Sequence, residues 1–385
     1  MDYFYFYTLL VAIVFIFHKN FAKWLSILGG IFFLLYLPAS GFYSPDYFGY
    51  EQAYESAFVV PEYPWISSDA RIDAEIFYLR YTAFFKIITG LSYPYFLVIN
   101  FVICVLLSYL TLKRFNTFVK DTFWVMFFPI LFPILFFHLI RSSISLFLLF
   151  LGFMMLVNAK NYKSIIFALI VTFIGFNFHS QYILIAVLFS IAFFLLRFKS
   201  VKDYSYNLRL VFVFSAILVV VLVALRSFVE ELSTLVSVIS TSDLATSKLG
   251  YLETEDSRGF RITSVLSVFV YPYMIYQLIK NTYWNPRPLI LNEKHTERVF
   301  LFMLFAVVFF TAAINIAYFD STHLSSRLGR FSDYLCMAVL VPLYLKICIG
   351  NKTESIIVLV VAVIAPFLYA SIYQDYYNSF QWNIF

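Results

Sequence analysis

Apolar runs recur along the whole chain, separated by short polar breaks. Each is close to the roughly 20 residues that a helix needs to cross a bilayer. In hydrocarbon the backbone must satisfy its own hydrogen bonds, so such runs predict helices. The pattern predicts twelve spans, over residues 3–17, 24–42, 93–112, 122–138, 141–158, 163–178, 181–197, 208–226, 261–279, 298–318, 331–349 and 355–372. Longer polar stretches lie near residues 43–76, 226–260 and 320–330, while the alternate connections are short. No repeat, low-complexity tract or inverted-repeat pattern of the transporter kind is visible. The expectation is one all-α, polytopic membrane domain over residues 1–385.

Composition agrees. Of 385 residues, 62% are hydrophobic and only 13% charged, with a mean hydropathy of +0.84, which excludes an ordinary soluble domain. Nucleic acid is not an expected partner. The first apolar segment follows Met1-Asp2 without a basic lead-in or a small-residue cleavage site, and reads as a retained span. Cys104, Cys336 and Cys348 fall inside predicted spans without metal-ligand spacing, and read as buried small hydrophobes.

Charge then orients the spans. Connections 18–23, 113–121, 159–163, 197–209, 280–298 and 346–354 hold seventeen bases and five acids, a net +12. The rest of the chain holds ten bases and seventeen acids, a net −7. Cytoplasmic loops are the basic ones, so the first set faces the cytoplasm and both termini face outward.

The ten bases on the outer side need their own explanation. Eight are Arg, whereas the cytoplasmic set is mostly Lys. The guanidinium fork suits bidentate binding of phosphate or carboxylate, while an ammonium is a point charge. Arg141 is the sharpest case, because with His138 it is the only basic content of the apolar stretch 122–157. A charge at mid-membrane costs roughly 2.5–3.5 kcal/mol on insertion scales. Topology moves Arg141 to the outer rim, at the start of a span. Arg258 and Arg261, in RGFR, open a second span, and Arg327 and Arg330, in RLGR, a third. Snorkelling or pairing with outer acids explains any one of them. Three clusters at one rim point to a bound anion, at the depth of a lipid phosphate.

His179 ends the span 163–178 at the same outer level as Arg141, where it serves either structure or proton transfer. His323, beside Arg327, is a weaker counterpart. The outer acids Asp46, Glu51 and Glu75 are candidates for a general base toward a sugar hydroxyl, and the sequence does not choose among them. Tyr47, Tyr50 and Tyr54 recur at helical spacing, suited to an interfacial helix or to stacking on sugar rings. No HExxH, HxxxD or DxD pattern is present, and no metal or other cofactor is expected.

These residues also carry a family resemblance. In order they are D-Y-x-x-Y (Asp46, Tyr47, Tyr50), an acid (Glu75), Arg141 at a span start, His179 about 38 residues on, and R-x-x-x-Y from Arg330 to Tyr334. The chain resembles the EpsG-like group of Wzy-type polysaccharide polymerases over most of its length. The resemblance implies a C-type membrane glycosyltransferase fold in the bacterial inner membrane. It also implies metal-independent, inverting joining of repeat units carried on undecaprenyl diphosphate at the periplasmic face. Arg141, His179 and Arg330 would then lie at the active centre, with Tyr334 beside the sugars. A chain-length regulator is a partner implied by the family only. The RGFR pair matches no family motif, and its assignment rests on charge and position.

Three rivals share features with this reading. An O-antigen ligase uses the same lipid donor but carries one dominant outer loop, whereas here the polar sequence is divided between residues 43–76 and 226–260. A lipid-linked sugar flippase binds the same head group without chemistry and needs charges deep in several spans. A membrane O-acyltransferase needs a histidine within the membrane and a path from the cytoplasm, which the outer-rim position of His179 opposes.

Overall fold

A computed structural model describes residues 10–36, 47–55, 76–126, 140–179, 213–224, 266–317, 332–348 and 353–358, short of some positions within them. Among these residues all regular structure is helical. Two helices, Tyr93–Leu112 and Lys294–Ala317, are long and apolar enough to cross a membrane by length and composition, and Tyr162–Phe178 is a shorter apolar helix. The chain divides into two compact units, one of Met1–Tyr182, Ile290–Asn292 and Met337–Phe385, the other of Ile183–Leu289 and Glu293–Cys336.

In the first unit, α1 (Lys19–Tyr36) begins five residues before the expected span, so Lys19 and Lys23 are helical rather than in a connection. Lys23 Nζ lies 2.7 Å from Asp121 Oδ1 on α5 (Thr117–Met126). Both residues fall in stretches that the charge pattern expects on one face.

The first long polar stretch contains α2 (Tyr47–Glu55), and a further helix, α3 (Ile76–Thr89), stands where no span was expected. Arg80 and Lys86 interrupt the apolar run of α3 and hide it from a hydropathy reading. Local signals nevertheless mark its end. Gly90 takes a φ of +63°, the left-handed conformation that closes a helix without a Cβ penalty, and its N–H donates to Lys86 O at 2.9 Å. Ser92 then takes the N-cap position of α4 (Tyr93–Leu112), with Pro94 in its first turn. The Tyr54 hydroxyl donates to Leu91 O at 2.9 Å and so ties α2 to this turn.

A helical hairpin follows in the same unit. Helices α6 (Ile140–Val157) and α7 (Tyr162–Phe178) fall within a residue of the expected spans. Asn161 caps α7 by accepting from Ser164 N–H at 2.9 Å. The pair packs closely because small residues line it, as membrane helices require when no water drives them together. A Cβ at Gly152 would lie 2.4 Å from Thr172 Oγ1, and one at Gly175 would lie 3.1 Å from Leu149 Cγ.

In the second unit, a π-turn over Leu266–Val270 leads into α8 (Tyr271–Tyr283), followed by α9 (Lys294–Ala317). Glu297, fully buried, clamps the α8–α9 connection. Its carboxylate accepts from Leu289 N–H at 2.7 Å and from Lys294 Nζ at 2.9 Å, and Lys294 also donates to Thr282 O at 2.8 Å. A second π-turn, Cys336–Leu340, starts at the last residue of this unit, and α10 (Val341–Ile347), which follows it, belongs to the first unit. Each wide turn ends just before an X-Pro step, at Pro272 and Pro342. The proline has no N–H for the carbonyl four residues back and crowds it, so the preceding turn opens. Of the cysteines, Cys104 and Cys336 are buried as expected, and Cys348 is only partly so.

Candidate functional site

The site in the first unit is built where α7 ends. Its last turn brings Gly175 against α6, and Ser145 Oγ donates to Gly175 O at 2.6 Å. Arg141 lies four residues before Ser145, and His179 four residues after Gly175. The helices are antiparallel, so both positions stand about 6 Å beyond this bond at 1.5 Å per residue. The backbone therefore carries Arg141 and His179 to one level.

His179 is the C-cap of α7, with its N–H donating to Phe176 O at 3.1 Å and Gly175 O at 3.3 Å. Only 4% of it is exposed. It thus combines a structural cap with a buried imidazole. The neighbouring Phe178 packs edge-on against Tyr81 of α3, ring centroids 5.4 Å apart, and against Phe77 at 6.2 Å.

Tyr81 is the hub that a sequence reading misses. Its ring also meets Phe96 of α4 at 5.6 Å, and its hydroxyl donates to Asn100 Oδ1. The Tyr81 hydroxyl is the donor of this pair, since the amide oxygen only accepts. Asn100 is 1% exposed, in the middle of an otherwise apolar span. A polar residue there carries a functional signal that the sequence offered.

Phe96 links this hub to α2. Tyr54 packs on Phe96 at 4.9 Å and on Tyr93 at 5.6 Å, and is fully buried. Its place is thus a packing position, not a membrane interface or a sugar platform. Lys86 forms an ion pair with Glu55 and lies 4.8 Å from the Tyr54 ring centroid. One of the ten bases that the charge pattern left to explain is therefore accounted for by a local carboxylate and a cation–π contact. Burial raises the Tyr54 phenol as well, offset in part by its hydrogen bond with Thr89.

The expected site residues fare differently. Glu51 and Tyr50 lie on α2 and are partly buried, with Tyr50 edge-on to Tyr78 at 5.7 Å. Tyr47 and Arg141 are placed by their helix backbones, at the first position of α2 and the second of α6. Asp46, Glu75, Arg258, Arg261, Arg327, Arg330, Tyr334 and His323 lie outside the described residues. In the described part, the Arg141 backbone stands at the level of His179, and Phe178, which precedes His179 in the chain, packs on Tyr81, whose hydroxyl meets Asn100. The Tyr81–Asn100 pair is a small polar set in an aromatic surround, as ligand sites commonly are.

A sequence model of the EpsG family matches residues 25–383, nearly the whole chain. Comparison with curated proteins and with solved structures returns no match.

Proposed function

The chain belongs to the EpsG family, whose members are like the Wzy-type polysaccharide polymerases, and from that premise we propose that it polymerises lipid-linked oligosaccharide units. Membrane location and a part in polysaccharide biosynthesis come with the family. The finer reading is transfer of a growing chain from one undecaprenyl diphosphate to the terminal sugar hydroxyl of another unit, at the periplasmic face of the inner membrane. The shared level of Arg141 and His179, fixed by the Ser145–Gly175 bond, is the observation that carries it.

The chemistry follows from the leaving group. As the glycosidic C–O bond breaks, negative charge grows on the diphosphate, and guanidinium groups in a poorly hydrated site stabilise it strongly. Arg141 holds this role, joined by Arg258, Arg261, Arg327 and Arg330. His179, or one of Asp46, Glu51 and Glu75, takes the acceptor proton. A single in-line displacement inverts the anomeric carbon. Tyr47, Tyr50 and Tyr334 meet the sugars, and a chain-length regulator is the partner protein.

Arg141→Ala and His179→Ala in the producing bacterium test this. The expected result is loss of long polymer and build-up of single lipid-linked units, with each variant at its normal membrane level. Uncapped long polymer would instead mean a ligase, and units trapped on the cytoplasmic side a flippase. Unchanged chain length in both variants sinks the site assignment.

A further inference from the structure

We propose that Tyr81 and Asn100 form a hydroxyl-binding subsite for the sugar of the lipid-linked unit, an assignment that rests on the polymerase reading. The Tyr81 hydroxyl gives its proton to Asn100 Oδ1, which leaves the phenolic oxygen as an acceptor. Asn100 Nδ2 is buried and has no hydrogen-bond partner among the described residues. Turning the amide over would not cure this, since one N–H would then meet the phenolic oxygen while the phenolic proton lost its acceptor and Oδ1 took the unmet place. A pair serving only to hold α3 against α4 has no use for the surplus donor, and an unmet buried donor is costly. Apolar residues of the same shape would pack there more cheaply. The surplus is what a ligand hydroxyl satisfies, by accepting from the amide and donating to the phenol.

The surroundings suit a sugar. Tyr81 is only partly buried, whereas Asn100 behind it is 1% exposed. The phenol is thus the outer member and the amide the inner one. Phe77, 38% exposed, lies beside Phe178 and offers an apolar face for the C–H side of a sugar ring. Phe178 in turn places the subsite next to His179 in the chain.

Two conservative variants isolate the polar atoms. Tyr81→Phe keeps every ring contact, and Tyr81→Phe/Asn100→Leu removes both polar partners together, which avoids stranding one of them. The probe is the native lipid-linked unit, extracted from cells lacking this protein and supplied to purified protein in nanodiscs. Both its binding and its conversion to longer chains are measured. Each variant is expected to bind the unit about tenfold more weakly, with KM raised to match and kcat within about twofold of wild type, as loss of a uniform binding contact predicts. Wild-type affinity and KM in the double variant overturn the subsite. If the double variant does not fold, wild-type affinity and KM in Tyr81→Phe overturn it instead. Weakened binding in the variants, with no chain growth even by wild type, keeps the subsite and overturns the polymerase reading.

Discussion

Replacing Gly152 by alanine tests the closeness of the α6–α7 hairpin that sets Arg141 and His179 level. The added Cβ would lie 2.4 Å from Thr172 Oγ1, 3.1 Å from Thr172 N and 3.2 Å from Ala168 O. The hydroxyl can swing away, but only by giving up its 2.8 Å bond to Ala168 O. The two backbone atoms cannot swing, so the helices must part by a few tenths of an ångström. Overpacking of this kind costs about 1–3 kcal/mol, while exchanging glycine for alanine within a helix returns about 1 kcal/mol. A net loss of about 1 kcal/mol is expected. Gly175→Ala, which meets only leucine side-chain atoms at 3.1 Å and 3.2 Å, should cost less. Thermal unfolding of the purified protein in nanodiscs measures both. Adding Thr172→Ala to Gly152→Ala removes the nearest clash and should recover most of the loss. A Gly152→Ala protein as stable as wild type, or one not improved by Thr172→Ala, refutes the packing described here.

Two ion pairs give further tests. Lys86 is 10% exposed in its side chain and Glu55 47%, so the partners are not equivalent. Glu55→Ala leaves a buried ammonium without its carboxylate and should cost about 1–3 kcal/mol. Lys86→Ala leaves a carboxylate that water reaches, and should cost under about 1 kcal/mol, as thermal unfolding will show. For the Lys23–Asp121 pair, Lys23→Asp and Asp121→Lys should each lower the membrane level of the protein, and the double exchange should restore it. Failure of that rescue would separate two connections that the charge pattern joins on one face.

How much of this was legible beforehand depended on how local each signal is. Helix α4 coincides with the span expected from hydropathy, because an N-cap serine, a first-turn proline and Lys113 bracket an unbroken apolar run. The α6–α7 hairpin was legible for the same reason, and two helices of similar length on a short turn bring Arg141 and His179 to one level. Helix α3 was not legible, since Arg80 and Lys86 read as connection charges until Glu55 is seen to hold one of them. Nor was Tyr54, whose spacing suggested an interface and whose ring is instead packed on Phe96. The Tyr81–Asn100 pair joins residues on different helices, and a pattern along one chain does not report such a meeting. Asn100 alone, polar within an apolar span, carried a visible hint.

The most direct measurement is reconstitution. Purified protein in nanodiscs is supplied with extracted lipid-linked units, and products are resolved by size. Polymerisation at the Arg141–His179 level predicts a ladder of longer lipid-linked chains from wild type and none from Arg141→Ala. Wild-type protein that binds the units yet yields no ladder, or an Arg141→Ala protein that yields the same ladder, contradicts it.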